Sequence, residues 1–598
     1  MDEKEFTIDL SDMKRDLIDA FKQCTERGLM QSAKWFAELS FTLKKVKPSA
    51  CEDQNISGMQ DEKYCSIGVT TKEIEDFDNF CMAKTYFDLR EYDRAAFFTE
   101  KCTSPKVSFL HLYAKYMAGE KRKYDEMTDM MSPVHFKNFK NSSLKALRLE
   151  LEARHNNNKL DGFGLYLYGV VLKKLELLKE AEPILLDSVH RHPLNWGTWK
   201  ELSSLITDRE KLNSIQLPNH WMRQFFYAHT CLELQLNEDA LKLYTQLCDA
   251  GLSENTYIIS QMAVAHDNLR AVDEAVEILA KLEKVDPYRL ENMDTYSNLL
   301  YVKEMKAELS RLAHRVCEVD KYRVETCCVI GNYYSLRSEH EKAIVYFQRA
   351  LKLNPNYLSA WTLMGHEYTE MKNTSAAIEA YRQAIEVNRR DFRAWYGLGQ
   401  TYEILKMYFY CIYYFRQAQQ LRPNDSRMLV ALGESYEKLD KVVEAKKCYW
   451  RAYSVGDLEG IALVRLAKLY ARFNEDDKAA SFYSKFVEQM EVLGTADTEE
   501  QCQAYRFLAR YHLKQQNFEF ATSYAHKCCE YNETKEEGKA ILKEIPNKRH
   551  SAGTPNVEER QNIEDLGSLT RPPLSSTSHG NGNTPRQHLS MMNLTFTP

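Results

Sequence analysis

Apolar and polar positions follow each other along most of the chain with the spacing of amphipathic helices, and the whole pattern recurs every 34 residues. Glycines stand 34 residues apart at Gly331, Gly365, Gly399 and Gly433, and a tyrosine follows each of them three residues later. In the unit 358–391 the repeat positions are Trp361, Met364, Gly365, Tyr368, Ala377, Tyr381 and Ala384. The pattern predicts two helices in each unit, each with one apolar face.

A repeat of this length is typical of tetratricopeptide arrays, in which helix hairpins stack because none of them can bury its apolar face alone. Clear units occupy 324–459, and fainter ones continue the register in both directions. We predict an all-α, tetratricopeptide-repeat superhelical solenoid of about a dozen hairpins. The predicted segments are N-terminal helices with a polar loop at 1–75, an N-terminal array at 76–290, a C-terminal superhelix at 291–545, and a disordered tail rich in Ser, Thr and Pro at 546–598.

The amino-acid composition agrees with this fold prediction and excludes some kinds of partner. Charged residues make up 28% of the 598 residues and the net charge is only −6, so the basic excess that a nucleic-acid partner requires is missing. The 15 cysteines include no Cys-x-x-Cys pair, and we expect reduced, packed thiols in an intracellular protein. The charged start Met1–Glu5 and the lack of an apolar run of ~18 residues predict neither a signal peptide nor a membrane span.

No motif in the sequence indicates catalysis, a cofactor or a metal site. The segment Asp161–Tyr166 contains two glycines but follows no predicted strand and lacks the lysine of a phosphate-binding loop, so we expect it to begin a helix. His190 and His192 close a repeat helix, which is a more ordinary role than metal binding. His366 and His512 lie on repeat helices without the serine or cysteine motif of a catalytic triad. We therefore predict a protein that is not an enzyme.

The C-terminal tail carries a candidate for regulation. Thr554, Thr584 and Thr597 each precede a proline, which is the form that proline-directed kinases modify. The hypothesis is that these threonines are phosphorylated in dividing cells. Mass spectrometry that finds all three unmodified would contradict it.

Several strings include loop and groove residues that the repeat signature does not require, and they carry a closer resemblance. They are Asp161–Gly169, Asp286–Asp294, Asp320–Arg337, Trp361–Tyr368, Arg393–Tyr402 and Leu421–Met428. In these strings the chain resembles the subunit-eight family of the anaphase-promoting complex. The resemblance covers most of 75–545 and is strongest at 286–455.

The resemblance implies a structural subunit of a cullin-RING ubiquitin ligase that marks mitotic regulators for degradation, found in the nucleus and cytoplasm. It implies a homodimer formed through the N-terminal repeats, within 76–290. It also implies that the C-terminal repeats, within 291–545, hold the N-terminal segment of an activator protein, which carries an arginine-containing box. The other partners are neighbouring subunits of the complex, and ubiquitin transfer itself belongs to other subunits.

The repeat pattern also predicts, independently of the resemblance, which residues line a binding groove. In such solenoids the first helix of each hairpin lines the concave face, so residues one and four places beyond the small-residue position face inward. These are Asn332, Ser335, His366, Thr369, Gln400, Glu403, Glu434 and Glu437. The three glutamates favour an arginine-bearing peptide, and Asn332 is a candidate to bond its backbone. Replacing Glu403 and Glu434 together by lysine is predicted to abolish activator-peptide binding without unfolding the array.

Two alternatives stay open. The candidate residues of the groove are also compatible with helix faces that are simply solvated. The chain is also compatible with a chaperone adaptor that grips short acidic tails, but such clamps need lysine and arginine on the inner face. This face instead offers Cys328, Thr362, Glu403 and Glu434, with Arg393 and Arg427 as the main exceptions.

Overall fold

The computed structural model of the chain describes residues 8–49, 76–128, 141–457, 459–493 and 499–551. All regular secondary structure within these ranges is helical, which confirms the predicted all-α repeat fold. The chain divides into two units, and the boundary lies between Met371 and Lys372. Each unit is described by itself.

Helix hairpins make up the first unit. Its helices are α1 Leu10–Glu26, α2 Met30–Thr42, α3 Phe77–Asp88, α4 Tyr92–Thr99, α5 Pro105–Thr128, α6 Leu144–Asn156, α7 Gly162–Lys174, α8 Leu178–Arg191, α9 Trp196–Ser203, α10 Arg209–Ser214, α11 Met222–Glu233, α12 Asn237–Leu247, α13 Thr256–Asn268, α14 Val272–Val285, α15 Met293–Val302, α16 Lys306–Val319, α17 Val324–Leu336, α18 His340–Leu353 and α19 Leu358–Glu370. A π-helical turn, Cys248–Leu252, follows α12. As expected, Asp161 begins α7, and its carboxylate accepts a hydrogen bond from the backbone N–H of Gly164 at 2.7 Å.

The second unit continues the same plan. Its helices are α20 Thr374–Val387, α21 Phe392–Ile404, α22 Tyr408–Leu421, α23 Ser426–Lys438, α24 Val442–Val455, α25 Ile461–Arg472, α26 Asp476–Leu493, α27 Glu499–Lys514, α28 Phe518–Glu530 and α29 Lys535–Ser551. The last helix extends beyond 545, where the sequence predicted the tail to begin, because Ile541 and Ile545 are buried against the preceding hairpin. The three candidate phosphorylation sites, Thr554, Thr584 and Thr597, lie outside the described residues.

The turn inside each hairpin shows the repeat more regularly than the side chains do. From Arg270 to Asn474, one residue of this turn has a left-handed backbone, with φ between 54° and 64°, at 34-residue intervals. These residues are Arg270, Glu304, Ser338, Lys372, Lys406, Asp440 and Asn474. The region 290–323, where the apolar pattern is faint, therefore forms the hairpin α15–α16 with the same turn as its neighbours.

Three of the repeated glycines, Gly331, Gly399 and Gly433, are required by the close approach of an aromatic ring from the second helix of the same hairpin. A Cβ atom added to Gly399 would lie 2.5 Å from Cε1 of Phe415, and one added to Gly433 would lie 2.5 Å from Cε1 of Tyr449. Both rings are fully buried. The 16-residue separation of glycine and ring is thus the contact that joins the two helices of a hairpin.

The N-terminal hairpin α1–α2 packs against the first helices of the N-terminal repeats. The indole ring of Trp35 stacks on that of Trp196 in α9 with centroids 4.4 Å apart. The side-chain amide of Asn255, at the start of α13, donates to Thr42 Oγ1 at 3.0 Å. The sequence predicted helices in this region but gave no indication of where they pack.

Candidate peptide-binding surface

The eight candidate groove residues are divided equally between the two units. Asn332, Ser335, His366 and Thr369 lie on α17 and α19 of the first unit. Gln400, Glu403, Glu434 and Glu437 lie on α21 and α23 of the second unit. The two sets differ in the hydrogen bonds and ion pairs that their polar groups form within the array.

In the first unit, Asn332 joins neighbouring repeats. Its side chain is only 2% exposed, and its Nδ2 donates to Ser297 Oγ at 2.8 Å and to Asn298 Oδ1 at 2.5 Å. Both acceptors belong to α15, one repeat earlier. The amide donors that were candidates to bond a peptide backbone are therefore used within the array, where an unpaired buried amide would be costly.

Ser335 and Thr369 also donate their hydroxyl protons inside the first unit. Ser335 Oγ donates to Glu367 Oε1 at 2.7 Å, and His340 Nδ1 lies 2.8 Å from the other oxygen of the same carboxylate. Burial raises the pKa of Glu367, while the contacts with Ser335 and His340 oppose that rise. Thr369 Oγ1 donates to the carbonyl of Gly365, one turn earlier in its own helix, at 2.9 Å. His366 is half-buried on the same helix.

In the second unit, two of the three candidate glutamates already have arginine partners. Glu434 Oε1 lies 2.5 Å from Nη2 of Arg465, and Glu437 Oε1 lies 2.7 Å from Nη2 of Arg472. Both arginines belong to α25, the first helix of the next repeat. Glu437 also accepts a hydrogen bond from the hydroxyl of Tyr449 at 3.2 Å. These carboxylates bridge successive repeats.

Glu403 differs from the other two glutamates. It is half-buried on α21, and its carboxylate makes no hydrogen bond or ion pair with any residue that the structure describes. Burial raises the pKa of Glu403, and the neighbouring negative charge of Glu434 raises it further, whereas Lys438 and Arg465 lower it. A carboxylate in this state gains most from a cationic ligand, because such a ligand would replace both the lost water and the missing partner.

Gln400 lies one turn before Glu403 on α21 and is also half-buried. The aromatic ring of Tyr396, four residues before Gln400, packs against that of Phe415 with centroids 5.2 Å apart. Burial raises the pKa of Tyr396, and both Glu403 and Glu434 contribute to that rise, so the three side chains are electrostatic neighbours. The side chains of α21 thus offer an amide, a carboxylate and an aromatic ring along one helix.

Sequence reasoning missed the positive side of this surface. Arg465, Lys468 and Arg472 follow one face of α25, and burial together with Arg465 lowers the pKa of Lys468. The available signal was the separation along the chain: the paired residues Glu434 and Arg465 stand 31 positions apart, close to one repeat. Charges of opposite sign at nearly one repeat length indicate a bridge between successive first helices.

The described residues contain neither a candidate metal site nor a candidate membrane span. No group of three or more His, Cys, Asp or Glu side chains there is arranged to hold a metal ion. No helix in the same part of the chain combines the length and apolar character needed to cross a bilayer.

Comparison with known proteins identifies the family. The model of the family described as anaphase promoting complex subunit 8 / Cdc23 matches residues 12–263. Tetratricopeptide repeat families match 324–357, 365–404 and 461–489, which confirms the repeat assignment.

Three relatives show how far this similarity extends. The human Cell division cycle protein 23 homolog is 53% identical over 311 residues, which cover 52% of this chain and 50% of that protein. Anaphase-promoting complex subunit 8 of Arabidopsis thaliana is 45% identical over 325 residues, which cover 51% of this chain and 56% of that protein. The chain thus spans about half the length of these two relatives. Anaphase-promoting complex subunit 8 of Dictyostelium discoideum is 40% identical over 595 residues, covering 90% of this chain and 98% of that protein.

The repeat fold and the resemblance noted in the sequence therefore agree with these relatives. Since the similarity to the Dictyostelium protein extends over nearly the full length of both chains, the chain belongs to the anaphase-promoting complex subunit 8 / Cdc23 family.

Proposed function

We propose that the chain is a non-catalytic scaffold subunit of the anaphase-promoting complex, a ubiquitin ligase that drives mitotic progression in the nucleus and cytoplasm. Membership of the subunit 8 / Cdc23 family supports this role. The stacked helix hairpins support it as well, because a repeat array offers extended surfaces to neighbouring subunits instead of an enclosed active site.

We further propose that the second unit binds an arginine of an activator's N-terminal segment through Glu403. The carboxylate of Glu403 is half-buried and unpartnered among the described residues, and this observation carries the proposal. An arginine guanidinium matches a carboxylate in a two-pronged geometry and loses less hydration energy than a lysine ammonium. Gln400, one turn away, is placed to hydrogen-bond the same peptide.

The arginine bridges around Glu403 define the charge of the site. Because Arg465 neutralises Glu434 and Arg472 neutralises Glu437, these glutamates position α23 against α25. Glu403, by contrast, pairs with no arginine among the described residues. Glu434→Lys would therefore break the ion pair with Arg465 that joins two repeats. A substitution of Glu403 tests ligand binding without breaking such a contact.

The test is a binding measurement with the full-length chain. A fluorescent synthetic peptide with one arginine is compared with the same peptide carrying citrulline, which keeps the shape but loses the charge. Glu403→Gln is expected to weaken binding of the arginine peptide about 10-fold or more, since a hydrogen bond to a charged group contributes ~1.5–3 kcal/mol. The citrulline peptide should bind weakly to both proteins.

Glu444→Gln serves as the matched control, because Glu444 is an exposed glutamate on α24, the second helix of its hairpin. It should leave the affinity unchanged. Equal affinities of wild type and Glu403→Gln would refute the site. Preferential binding of an acidic peptide that is weakened by Lys468→Gln, on α25 of this surface, would instead favour the chaperone-adaptor alternative.

The homodimer is a separate proposal that concerns the N-terminal repeats, 76–290. It rests on the family resemblance. Sedimentation equilibrium of the purified chain tests it, and a monomer at micromolar concentration would contradict it.

A further inference from the structure

A cluster of exposed apolar side chains occupies the α21–α22 turn and the first half of α22 in the second unit. Its members are Ile404, Leu405, Met407, Phe409, Tyr410 and Tyr413. Phe409 is 71% exposed and Tyr413 is 54% exposed, whereas Cys411 and Phe415 on the same helix are fully buried. Single exposed apolar residues are ordinary on any surface, but a contiguous cluster marks a contact site.

Two members of the cluster, Phe409 and Tyr413, form a stripe with Arg416 along the outer side of α22. Phe409, Tyr413 and Arg416 stand at positions i, i+4 and i+7, so they follow one face of the helix, and all three are exposed. The buried face, with Cys411 and Phe415, is turned towards the rest of the array. The stripe therefore lies on the side of the hairpin away from its packed interior.

The aromatic rings beside this stripe hold each other in place. The ring of Tyr402 stacks on Tyr410, with centroids 5.2 Å apart, and on Tyr414, with centroids 5.3 Å apart. Tyr413 meets Tyr414 edge-on at 5.1 Å, and Arg382 Nη2 donates to the hydroxyl of Tyr402 at 3.0 Å. Because Tyr413 is already held by Tyr414, its side chain loses little conformational entropy on binding.

Charge selects the kind of partner. The segment 404–424 contains Lys406, Arg416 and Arg422 but no aspartate or glutamate. Arg422 is engaged over the ring of Phe392, 4.1 Å from its centroid. Lys406 and Arg416 form no ion pair with any of the residues that the structure describes. The segment thus carries two cations, Lys406 and Arg416, that have no ion-pair partner among the described residues, and one of them belongs to the stripe.

We propose that the stripe formed by Phe409, Tyr413 and Arg416 binds an acidic segment of another protein, with apolar side chains spaced one helical turn apart. The apolar side chains of that segment would cover Phe409 and Tyr413, and a carboxylate beside them would pair with Arg416 in two-pronged geometry. This surface selects a ligand of the opposite charge from the one proposed for Glu403. The two sites are therefore independent and can be tested separately.

The first test uses a synthetic helical peptide with phenylalanines at i and i+4 and four flanking glutamates, measured by fluorescence anisotropy against the full-length chain. The expected result is binding that falls at least 10-fold with Phe409→Ala combined with Tyr413→Ala, and again with Arg416→Glu. A peptide with glutamine in place of glutamate should bind at least 10-fold more weakly to the wild-type chain.

Phe520→Ala is the matched control, since Phe520 is 60% exposed on α28, outside the stripe. It should leave peptide binding unchanged. Equal binding of the glutamine peptide, an equal loss with Phe520→Ala, or no binding of the glutamate peptide would overturn the proposal. Binding of vesicles rich in phosphatidylserine, lost with Arg416→Glu, would overturn it in favour of a membrane surface.

A second test uses the chain in its assembled complex. A photoreactive benzoylphenylalanine replaces Phe409, and the cross-linked segment is identified by mass spectrometry. We expect a segment of another subunit with an excess of aspartate and glutamate around the cross-linked residue. Cross-links confined to segments without that excess, or none at all, would overturn the proposal even if the synthetic peptide binds.

Discussion

Gly399→Ala is the substitution that tests the packing of a single hairpin most directly. Gly399 lies on α21, where the ring of Phe415 from α22 approaches its backbone. The change adds one methyl group and leaves every polar group in place. Two effects of opposite sign then act on stability, and the structure decides which is larger.

The first effect is favourable, since alanine in a helix interior is better than glycine by roughly 0.5–1 kcal/mol. The second effect is steric. The new Cβ would lie 2.5 Å from Cε1 and 2.6 Å from Cδ1 of Phe415. Ordinary carbon contacts are about 3.5–4.0 Å, so the ring must move by about 1 Å inside a closed core. Overpacking of this kind costs ~1–3 kcal/mol, and we expect net destabilisation of about 1–2 kcal/mol.

Hydrogen exchange resolved by peptide is the suitable measurement, because repeat arrays open locally and their unfolding does not give one global free energy. Amides of α21 and α22 should exchange about 5–30 times faster in the variant. Amides of α7 and α8 in the first unit provide an internal reference and should not change.

Unchanged or slower exchange in α21 would refute this account, because it would mean that helix propensity outweighs the steric contact. Phe415→Leu supplies the second arm of a double-mutant cycle. Leucine at position 415 leaves room for the added methyl group, so the double variant should be more stable than the sum of the two single losses predicts.

Three further predictions concern buried groups. Glu403→Gln should raise stability at pH 7, because folding raises the pKa of Glu403 and a charged carboxylate there is unfavourable. The gain should disappear in thermal melts below pH ~4.3, where the carboxyl is protonated in both states, and a gain independent of pH would contradict it. Tyr357→Phe should lower the local stability of α15 and α19 by ~1–3 kcal/mol, since Tyr357 donates at 2.6 Å to the buried carboxylate of Asp294. The amides of these two helices should therefore exchange faster, and unchanged exchange would show that another donor replaces Tyr357. Trp35→Ala should lower the stability of the hairpin α1–α2 by ~3–5 kcal/mol, because the variant loses its stack on Trp196. Residues 10–42 should then be digested faster by protease, and unchanged digestion would contradict this prediction.

The sequence alone could predict the hairpin fold, because the contacts that define it are local and periodic. Gly399 and Phe415 stand 16 residues apart, and the same pairing recurs at Gly433 and Tyr449. When two helices are joined by a short turn, the residues that make contact between them are separated by a fixed number of positions in the sequence. The same spacing correctly predicted that the eight candidate groove residues lie on first helices. It did not distinguish the residues that have polar partners from those that do not.

The tertiary structure decided which of these residues keep a polar group available. Glu403, Glu434 and Glu437 follow the same rule of position in the sequence, yet only Glu403 lacks a partner among the described residues. The difference depends on Arg465 and Arg472, which come from the next repeat and whose side chains reach back to α23. The helical period of the sequence predicts which face of the helix a residue occupies, but it does not predict which charged side chain of a neighbouring helix lies opposite that residue.

The placement of α1 and α2 was likewise beyond the sequence. Trp35 meets Trp196 across more than four repeat lengths of chain, and no periodic pattern links the two positions. The sequence determined the repeating hairpin, because each repeat packs on its immediate neighbours at constant spacing. The tertiary structure decided the long-range contacts and left the carboxylate of Glu403 without a partner among the described residues, because these features depend on side chains that come together only after the hairpins have stacked.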